Sequence, residues 1–345
     1  MRMDLGFNRI ATEEAFATKE LMQAYRDLLA RKGSDDVGFN SLMGYYLSHP
    51  SERTRAVAAR LEDLGQGRID DMDATGIAMQ ILSITSPGVQ IFGADEAVGL
   101  ARSANDELAA AIAAHPRRYA GLAAIAPQNP QAAAKELERA VTQLKLKGAI
   151  VNSHTRGEYL DDPKFWDILA AAEALDVPIY LHPNTPSNAM ITPFMERGLD
   201  GAVFGFAVET GLHALRLVVS GAFDRFPRLK VVLGHLGEAL PYWLFRIDFM
   251  HGASVRSGRY ASQPNLRYPA SHYLRENFYY TTSGMAWTPP IRYVQRVMGM
   301  DRVMYAMDYP YQFVPEEVNV TDELPIAYED LKMFYQTNAE RVFKL

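Results

Sequence analysis

Short apolar runs alternate with longer helical segments along the chain, and this alternation limits the possible fold more than any other feature. Eight of the runs are rich in β-branched or aromatic residues, which predicts strands buried on both faces. Helical segments follow them, one of which starts with the capping pair Asn129-Pro130. Eight strand–helix units predict one closed (β/α)8 barrel, the TIM barrel of the α/β class. The predicted strands are 9–14, 77–85, 119–127, 147–154, 179–183, 231–235, 277–284 and 303–308.

The length of the chain agrees with this prediction. A chain of 345 residues is long enough for two average domains, but α/β barrels commonly use this length as one. No linker, repeat or low-complexity tract divides it, so we expect residues 1–345 to form a single barrel domain. The segment of about 19–76 follows the first strand and predicts a helical insertion.

Composition narrows the classes of partner and of site. The formal net charge of −6 is spread without a basic block, which argues against nucleic acid or an anionic membrane as a partner. The chain has no cysteine, so any metal must be held by His, Asp or Glu. The N-terminus lacks the apolar core of a signal peptide, and no run reaches the ~20 apolar residues of a membrane span. We therefore expect a cytoplasmic protein.

Four predicted strands end in a side chain that can bind a metal or move a proton. Glu13 and Glu14 end the first strand, and His182, His235 and Asp308 end the fifth, sixth and eighth. In a parallel barrel the carboxyl ends of the strands meet at one rim, where active sites are built. Adjacent residues of a strand point to opposite faces, so only one of the two glutamates can face the site. Any one of these residues is as readily explained by a structural role as by metal binding. Their joint placement at four strand ends predicts a metal site.

Other polar residues are weaker candidates. His154 ends the fourth strand and can reach the rim. His235 and Glu238 lie three residues apart, but the glycine-containing turn between them argues against a shared helical face. Arg53 and Arg246 are candidates for binding an anionic substrate, although helical arginines are more often solvated surface residues. The sequence contains no phosphate loop, no dinucleotide fingerprint and no HExxH zinc helix.

Several segments of the chain form a recognisable set. They are TEEAFA (12–17), YLHP (180–183), LGHLGE (233–238) with PYWLFRID (241–248), TTSG (281–284) and MDYPYQ (307–312). Together they resemble the amidohydrolase-related decarboxylases of the aminocarboxymuconate-semialdehyde decarboxylase group. The resemblance extends over essentially the whole chain, and within the group it is strongest to the 5-carboxyvanillate branch. It implies an amidohydrolase-like barrel that removes CO2 non-oxidatively from an ortho-hydroxy aromatic acid, with 5-carboxyvanillate to vanillate as the first expectation.

The resemblance also implies roles for individual residues. Glu13, His182 and Asp308 match the metal ligands of the group, and His235 matches a histidine that assists proton transfer. Asp308 is expected to protonate the ring carbon. The second strand-one ligand of many relatives, a histidine, is replaced by Ala15, which is similar to the carboxyvanillate branch. The resemblance implies one divalent ion, Mn2+ before Zn2+, with no organic cofactor.

The resemblance also implies how the substrate is held. Arg53, Arg246 and Tyr311 are expected to bind the remote carboxylate or the ring substituents of a small aromatic acid. Arg246 is expected to act in its own or a neighbouring subunit's site, within a homodimer or homotetramer.

Two kinds of alternative remain open. Within the group, the substrate can instead be γ-resorcylate or 2,3-dihydroxybenzoate. Outside it, a metal-dependent lactone hydrolase or a non-catalytic binding barrel fits the same fold. Hydrolases of this type often use a modified lysine at strand four to bridge two metals, whereas strand four here ends in Asn152-Ser153-His154. Because this ending has no lysine to bridge two metals, it favours a site with one metal ion.

Overall fold

The computed structural model describes residues 5–31, 34–49 and 51–345, and its strands form a parallel barrel. All paired neighbours are parallel, in a three-stranded sheet β1–β3 and a six-stranded sheet β4–β9. The amide of Thr12 donates to the carbonyl of Tyr305 at 3.1 Å, which links the last strand to the first. The strands are Ile10–Phe16 (β1), Met79–Ile84 (β2), Tyr119–Gly121 (β3), Ala123–Ala124 (β4), Ala149–Asn152 (β5), Pro178–His182 (β6), Lys230–Leu233 (β7), Phe278–Thr281 (β8) and Val303–Met304 (β9).

A helical insertion follows β1, as the sequence predicts. Its first three helices are capped by side chains, since Thr18, Asp36 and Ser51 each accept a hydrogen bond from a backbone amide of the first turn. The helices place Leu42, Tyr46 and Arg53 over the carboxyl ends of the strands. They are Lys19–Ala30 (α1), Val37–Ser48 (α2), Glu52–Glu62 (α3) and Gln66–Thr75 (α4).

The longer of the remaining helices surround the strands and bury an apolar face. None of the described helices is long and apolar enough to cross a membrane. The remaining helices are Ala94–Ala114 (α5), Pro130–Thr142 (α6), Trp166–Leu175 (α7), Thr192–Met195 (α8), Gly205–Val219 (α9), Ala222–Arg225 (α10), Leu240–Ser257 (α11), Ala270–Glu276 (α12), Thr288–Met298 (α13), Glu317–Asp322 (α14), Tyr328–Lys332 (α15) and Asn338–Phe343 (α16), with short 3-10 turns at Pro163–Phe165 and Met300–Arg302.

Three predicted elements differ in detail. The third strand is divided at Leu122, whose amide turns to the carbonyl of Leu82. The eighth strand ends at Met304, and Asp308 lies four residues beyond it with a left-handed backbone (φ +71°) that no strand accommodates. The last helical segment, α15 to α16, contains a π-helical turn at Met333–Thr337. These differences leave the order of the eight strand–helix units intact.

The carboxyl ends of the strands lie together at one rim of the barrel. Asn152 of β5 stands opposite His182 of β6, and Leu181 stands opposite Leu233 of β7. In β1 the register shifts between Ala11 and Glu14, so this strand bulges where its two glutamates lie. All seven residues of β1 are buried, including both carboxylates. The barrel therefore brings charged side chains into its interior just below the rim.

Candidate active site

A cavity of about 160 Å3 opens at the carboxyl ends of the strands. Its floor combines polar side chains from β6, from the turn after β7 and from the loop after β9. Its upper wall comes from the insertion helices α2 and α3 and from the segment before α9. The lining residues are Leu42, Tyr46, Arg53, Ser86, His182, Pro183, Ala202, Phe206, His235, Asp308, Tyr311 and Gln312.

Glu13 lies beneath this floor. One of its carboxylate oxygens accepts several hydrogen bonds, and the other accepts none. Its Oε2 accepts hydrogen bonds from the hydroxyls of Tyr180, Ser283 and Thr281, the last at 2.9 Å. Its Oε1 is buried and has no hydrogen-bond partner. Burial alone would raise the pKa of Glu13, but the charged His235 and the hydroxyls that bond Oε2 outweigh burial and lower it. An ionised carboxylate thus presents one oxygen, in a fixed direction.

His182 faces that free oxygen with a lone pair. Its Nδ1 donates to the carbonyl of Pro183 at 2.9 Å, because a carbonyl can only accept. Burial lowers the pKa of His182, so the imidazole is neutral and Nε2 carries no proton. Nε2 lies 3.4 Å from Oε1 of Glu13. Two acceptors facing each other at this distance fit a cation between them, since metal–ligand bonds to nitrogen and oxygen are about 2.0–2.2 Å.

His235 is held in place by Glu238 in an unusual turn. Its Nδ1 lies 2.9 Å from a carboxylate oxygen of Glu238, and its amide donates to the hydroxyl of Ser283. All five residues of 235–239 have positive φ, a conformation that is costly for non-glycine residues. Burial would lower the pKa of His235, but the carboxylates of Glu238 and Glu13 raise it to about 10. The imidazole is therefore positively charged at neutral pH.

His235 and Glu238 do not share a helical face, in agreement with the expectation from the glycine-containing turn, yet their side chains are in contact. They meet in a left-handed turn and not on a helix. The turn requires glycine at position 237, where a Cβ atom would come within 2.7 Å of the ring of Tyr280.

Asp308 completes the floor of the cavity. Its Oδ2 lies 4.0 Å from Nε2 of His235. Burial raises the pKa of the Asp308 carboxyl to about 8; His235 opposes this rise, and the negative charge of Glu13 adds to it. A carboxyl group that keeps its proton near neutral pH is suited to act as a general acid.

These four residues, Glu13, His182, His235 and Asp308, are termed the open cluster below. No three His, Asp or Glu side chains in the described part of the chain form a closed metal-binding group. The open cluster still fits a metal pairwise, because Glu13 and His182 present facing acceptors and Asp308 lines the same cavity. Of the described residues that line the cavity, none is lysine.

Two of the three predicted substrate-binding residues line the cavity. A guanidinium nitrogen of Arg53 donates to the carbonyl of Tyr311 at 3.2 Å. The hydroxyls of Tyr311 and Thr85 are 2.5 Å apart. The ring of Tyr46 packs edge-on against that of Tyr311, with centroids 5.3 Å apart. Sequence reasoning missed Tyr46, because a tyrosine in an insertion helix has no strand-end position to mark it.

Arg246 lies elsewhere. It is exposed on α11 and does not line the cavity of its own chain. Its helix also exposes large apolar side chains, of which Phe245 is 84% and Tyr242 is 74% accessible.

A second buried polar group lies behind β5. Ser153, Tyr159, Ser187, Glu209 and His213 form what we call the Glu209 network. Oε1 of Glu209 lies 3.3 Å from the Ser153 hydroxyl, and Oε2 accepts from the Ser187 amide at 3.1 Å. His213 accepts from the Leu160 amide through Nε2 at 3.0 Å.

His154 is adjacent in sequence but does not join the open cluster. Its two ring nitrogens bond the carbonyl of Thr185 and the amide of Gly157.

Residues 46–345 match the amidohydrolase family. The fold superposes with a TM-score of 0.97 on 5-carboxyvanillate decarboxylase from Novosphingobium aromaticivorans, complexed with manganese and 4-hydroxy-3-methoxy-5-nitrobenzoic acid. That enzyme is 51% identical, and the match covers 99% of this chain and 97% of the other. The corresponding enzyme from Sphingomonas paucimobilis is 41% identical, with a TM-score of 0.92 and coverage of 98% and 99%.

A relative with a different substrate also matches throughout. The gamma-resorcylate decarboxylase of Polaromonas sp. is 36% identical over 346 residues, which cover 98% of each chain. The family match and the full-length similarity to decarboxylases confirm the resemblance inferred from the sequence motifs. The chain belongs to the amidohydrolase family, within its group of decarboxylases.

Proposed function

We propose that this protein catalyses the metal-dependent, non-oxidative decarboxylation of an ortho-hydroxy aromatic acid, with 5-carboxyvanillate as the preferred substrate and vanillate as the product. The observation that carries the proposal is the free Oε1 of Glu13 facing Nε2 of His182 at 3.4 Å, with Asp308 lining the same cavity as His182. The relative that is 51% identical supports the choice of substrate.

Glu13, His182 and Asp308 would hold one divalent ion. Oxygen and imidazole ligands suit manganese or zinc, and we favour Mn2+ because the similar enzyme of Novosphingobium is complexed with manganese. When bound, the ion supplies positive charge to the substrate's carboxylate and neighbouring phenolate oxygens. Ala15 has no side chain that can bind the ion, which leaves space for those oxygens.

Asp308 would donate its proton to the ring carbon that bears the carboxylate. A C–H bond forms there, the C–C bond to the carboxylate then breaks, its electron pair returns to the ring, and CO2 leaves. Each turnover consumes one proton, which Asp308 must regain from solvent. The charged His235, 4.0 Å away and held by Glu238, is positioned to relay it.

Arg53 and Tyr311 would orient the substrate from the upper wall. 5-Carboxyvanillate carries a second carboxylate that is not removed, and the guanidinium of Arg53 offers it a complementary charge at the cavity wall. γ-Resorcylate and 2,3-dihydroxybenzoate lack this second carboxylate. The charge of Arg53 therefore supports a dicarboxylated substrate.

The direct test uses purified protein freed of metal by chelation and reloaded with Mn2+ or Zn2+. Ultraviolet spectra and CO2 release would be followed with 5-carboxyvanillate, γ-resorcylate and 2,3-dihydroxybenzoate. We expect the highest kcat/KM with 5-carboxyvanillate and no turnover after chelation. Absence of turnover with every aromatic acid, together with metal-dependent cleavage of a lactone, would establish the hydrolase alternative instead.

A second copy of the chain is proposed as the partner of α11, in a homodimer or homotetramer. An exposed helix that carries Tyr242, Phe245 and Phe249 has more apolar surface than a monomer usually leaves uncovered. Arg246 projects from the same helix, and a homodimer through this face would bring it toward the partner's cavity.

Replacing Arg246 with Met tests this arrangement. We expect KM for 5-carboxyvanillate to rise at least about 10-fold, since a charge-assisted bond to a carboxylate is worth about 1.5–3 kcal/mol. KM for a monocarboxylated substrate should change much less. Arg256→Met, on the same helix, is the matched control. Equal effects on both substrates would remove Arg246 from the site.

A further inference from the structure

Glu14, the neighbour of the proposed ligand Glu13, is completely buried and does not line the cavity. Its two oxygens accept from two backbone amides on the loop after β9. Oε1 accepts from the amide of Met307 at 2.9 Å, and Oε2 accepts from the amide of Tyr309 at 3.2 Å. These amides flank Asp308 on either side. The carboxyl group of Glu14 therefore bonds the backbone on both sides of the proposed proton donor.

The conformation of this loop requires hydrogen bonds such as these two to hold it in place. Asp308 has φ of +71°, a left-handed conformation that costs a non-glycine residue free energy unless its surroundings impose it. Met307 and Tyr309 are 4% and 1% exposed, so their amides cannot turn to water without moving the loop. A buried amide without an acceptor costs about 1–3 kcal/mol. Glu14 supplies both acceptors only when the loop keeps its present shape.

Strand β1 holds Glu14 in the position that this contact requires. The amide of Ala15 donates to the carbonyl of Tyr309 at 2.7 Å, which aligns the strand with the loop. The bulge between Ala11 and Glu14 shifts the register just before this point. Arg68, also fully buried, packs over the ring of Tyr309 at 4.6 Å and adds a nearby positive charge.

We propose that Glu14 is a positioning residue for Asp308. Its carboxyl group bonds the amides of Met307 and Tyr309, a contact called the clamp below, and so orients the Asp308 carboxyl toward the reacting carbon. This inference rests on the proposed role of Asp308 in decarboxylation. The two adjacent glutamates of β1 then have different roles. Glu13 faces the metal site, and Glu14 shapes the loop that carries the proton donor.

The test compares Glu14→Gln with Asp322→Asn in the full-length, manganese-loaded protein. Glutamine has one acceptor oxygen and an NH2 group that repels the second amide. Asp322 is the matched control, because it is also a buried carboxylate near β1 with both oxygens bonded, to Arg9 at 2.9 and 2.7 Å and to the Tyr335 hydroxyl at 2.8 Å. Arg9 precedes β1, so this pair lies at the opposite end of the strand from the cavity.

We expect kcat for 5-carboxyvanillate to fall about 100-fold in Glu14→Gln with KM changed less than about 3-fold, because a small misplacement of a reacting group can cost that much. Asp322→Asn should lower the melting temperature but keep the wild-type kcat. Hydrogen exchange of segment 303–312 should rise in Glu14→Gln and stay unchanged in Asp322→Asn. If Glu14→Gln does not fold, Glu14→Asp keeps two acceptor oxygens, and we expect an intermediate kcat.

Wild-type kcat in the folded Glu14 variant, or an equal loss of kcat in Asp322→Asn, would overturn the positioning role. Unchanged exchange of segment 303–312 would overturn the clamp itself. The exchange measurement does not depend on turnover. If the wild-type protein decarboxylates no aromatic acid, the proposed function fails while the clamp is still tested.

Discussion

The open cluster and the Glu209 network both bury histidine and glutamate near the ends of barrel strands, yet they differ in whether their polar atoms are satisfied. In the open cluster, Oε1 of Glu13 has no hydrogen-bond partner and faces a lone pair of His182. In the Glu209 network, no buried side-chain atom lacks a partner among the described residues. An unsatisfied buried carboxylate oxygen is costly, and a bound cation would satisfy it, so this atom supports the proposed metal site.

The Glu209 network also contains a serine and a histidine in contact, which resembles a nucleophilic pair. The hydrogen bonds argue against that role. Nε2 of His213 accepts from the Leu160 amide, so the ring proton sits on Nδ1, which lies 3.4 Å from the Ser153 hydroxyl. An Nδ1 that already carries a proton cannot take one from Ser153. The network is therefore structural, and similar residue types alone do not make a site.

The largest expected effect follows from Asp308→Asn. We expect kcat to fall by about 10^3-fold or more, because general acid catalysis contributes about 10^2–10^4-fold. The protein should still fold and bind manganese, since asparagine keeps one oxygen ligand. Steady-state kinetics and metal analysis check this. Substantial activity in the variant would remove the proposed proton-donor role and with it the main contrast between the two clusters.

His213→Gln is expected to lower stability but to leave kcat unchanged, the opposite of Asp308→Asn. Glutamine can keep an acceptor for the Leu160 amide but loses the imidazole ring that packs against Tyr159, so the free energy of unfolding should fall by about 1–3 kcal/mol. The kcat of the folded enzyme should stay close to wild type. Urea unfolding and kinetics measure the two quantities separately. A specific loss of kcat without loss of stability would place the network in catalysis.

The pH dependence of stability sharpens the same comparison. Burial lowers the pKa of His213 from 6.5 to about 3, so the unfolded chain takes up a proton at a higher pH than the folded protein does. Between these pH values acid favours unfolding, and His213 contributes at most about 1.4 kcal/mol per pH unit. Stability should therefore fall as pH drops below 6.5, and His213→Gln should flatten that slope. An unchanged slope would contradict the assigned cause.

Ser153→Ala should have the smallest effect. The hydroxyl makes only long contacts, at 3.3 and 3.4 Å, so we expect a loss of stability below about 1 kcal/mol. Activity should not change. A large loss of activity, measured with the same substrate as for Asp308→Asn, would reopen the nucleophile interpretation.

Much of the fold was predictable because its signals are local. Apolar runs and helix caps predict elements from neighbouring residues, and the strand–helix order then limits the topology. Polar residues at strand ends marked His182, His235 and Asp308, because the carboxyl ends of parallel strands meet at one rim. The contact of His235 with Glu238 was not predictable, since it depends on a turn of consecutive left-handed residues.

The sequence by itself determined the barrel order, the absence of thiolate ligands and the set of residues available to a metal. Only the tertiary structure decided that Glu13 presents an oxygen to His182 and that its neighbour Glu14 bonds the loop after β9. The physical reason is that periodicity specifies alternation along a strand but not its absolute orientation, and a bulge in β1 alters even the alternation. The partners of Glu14 lie 293 and 295 residues away in sequence, where no local pattern reaches.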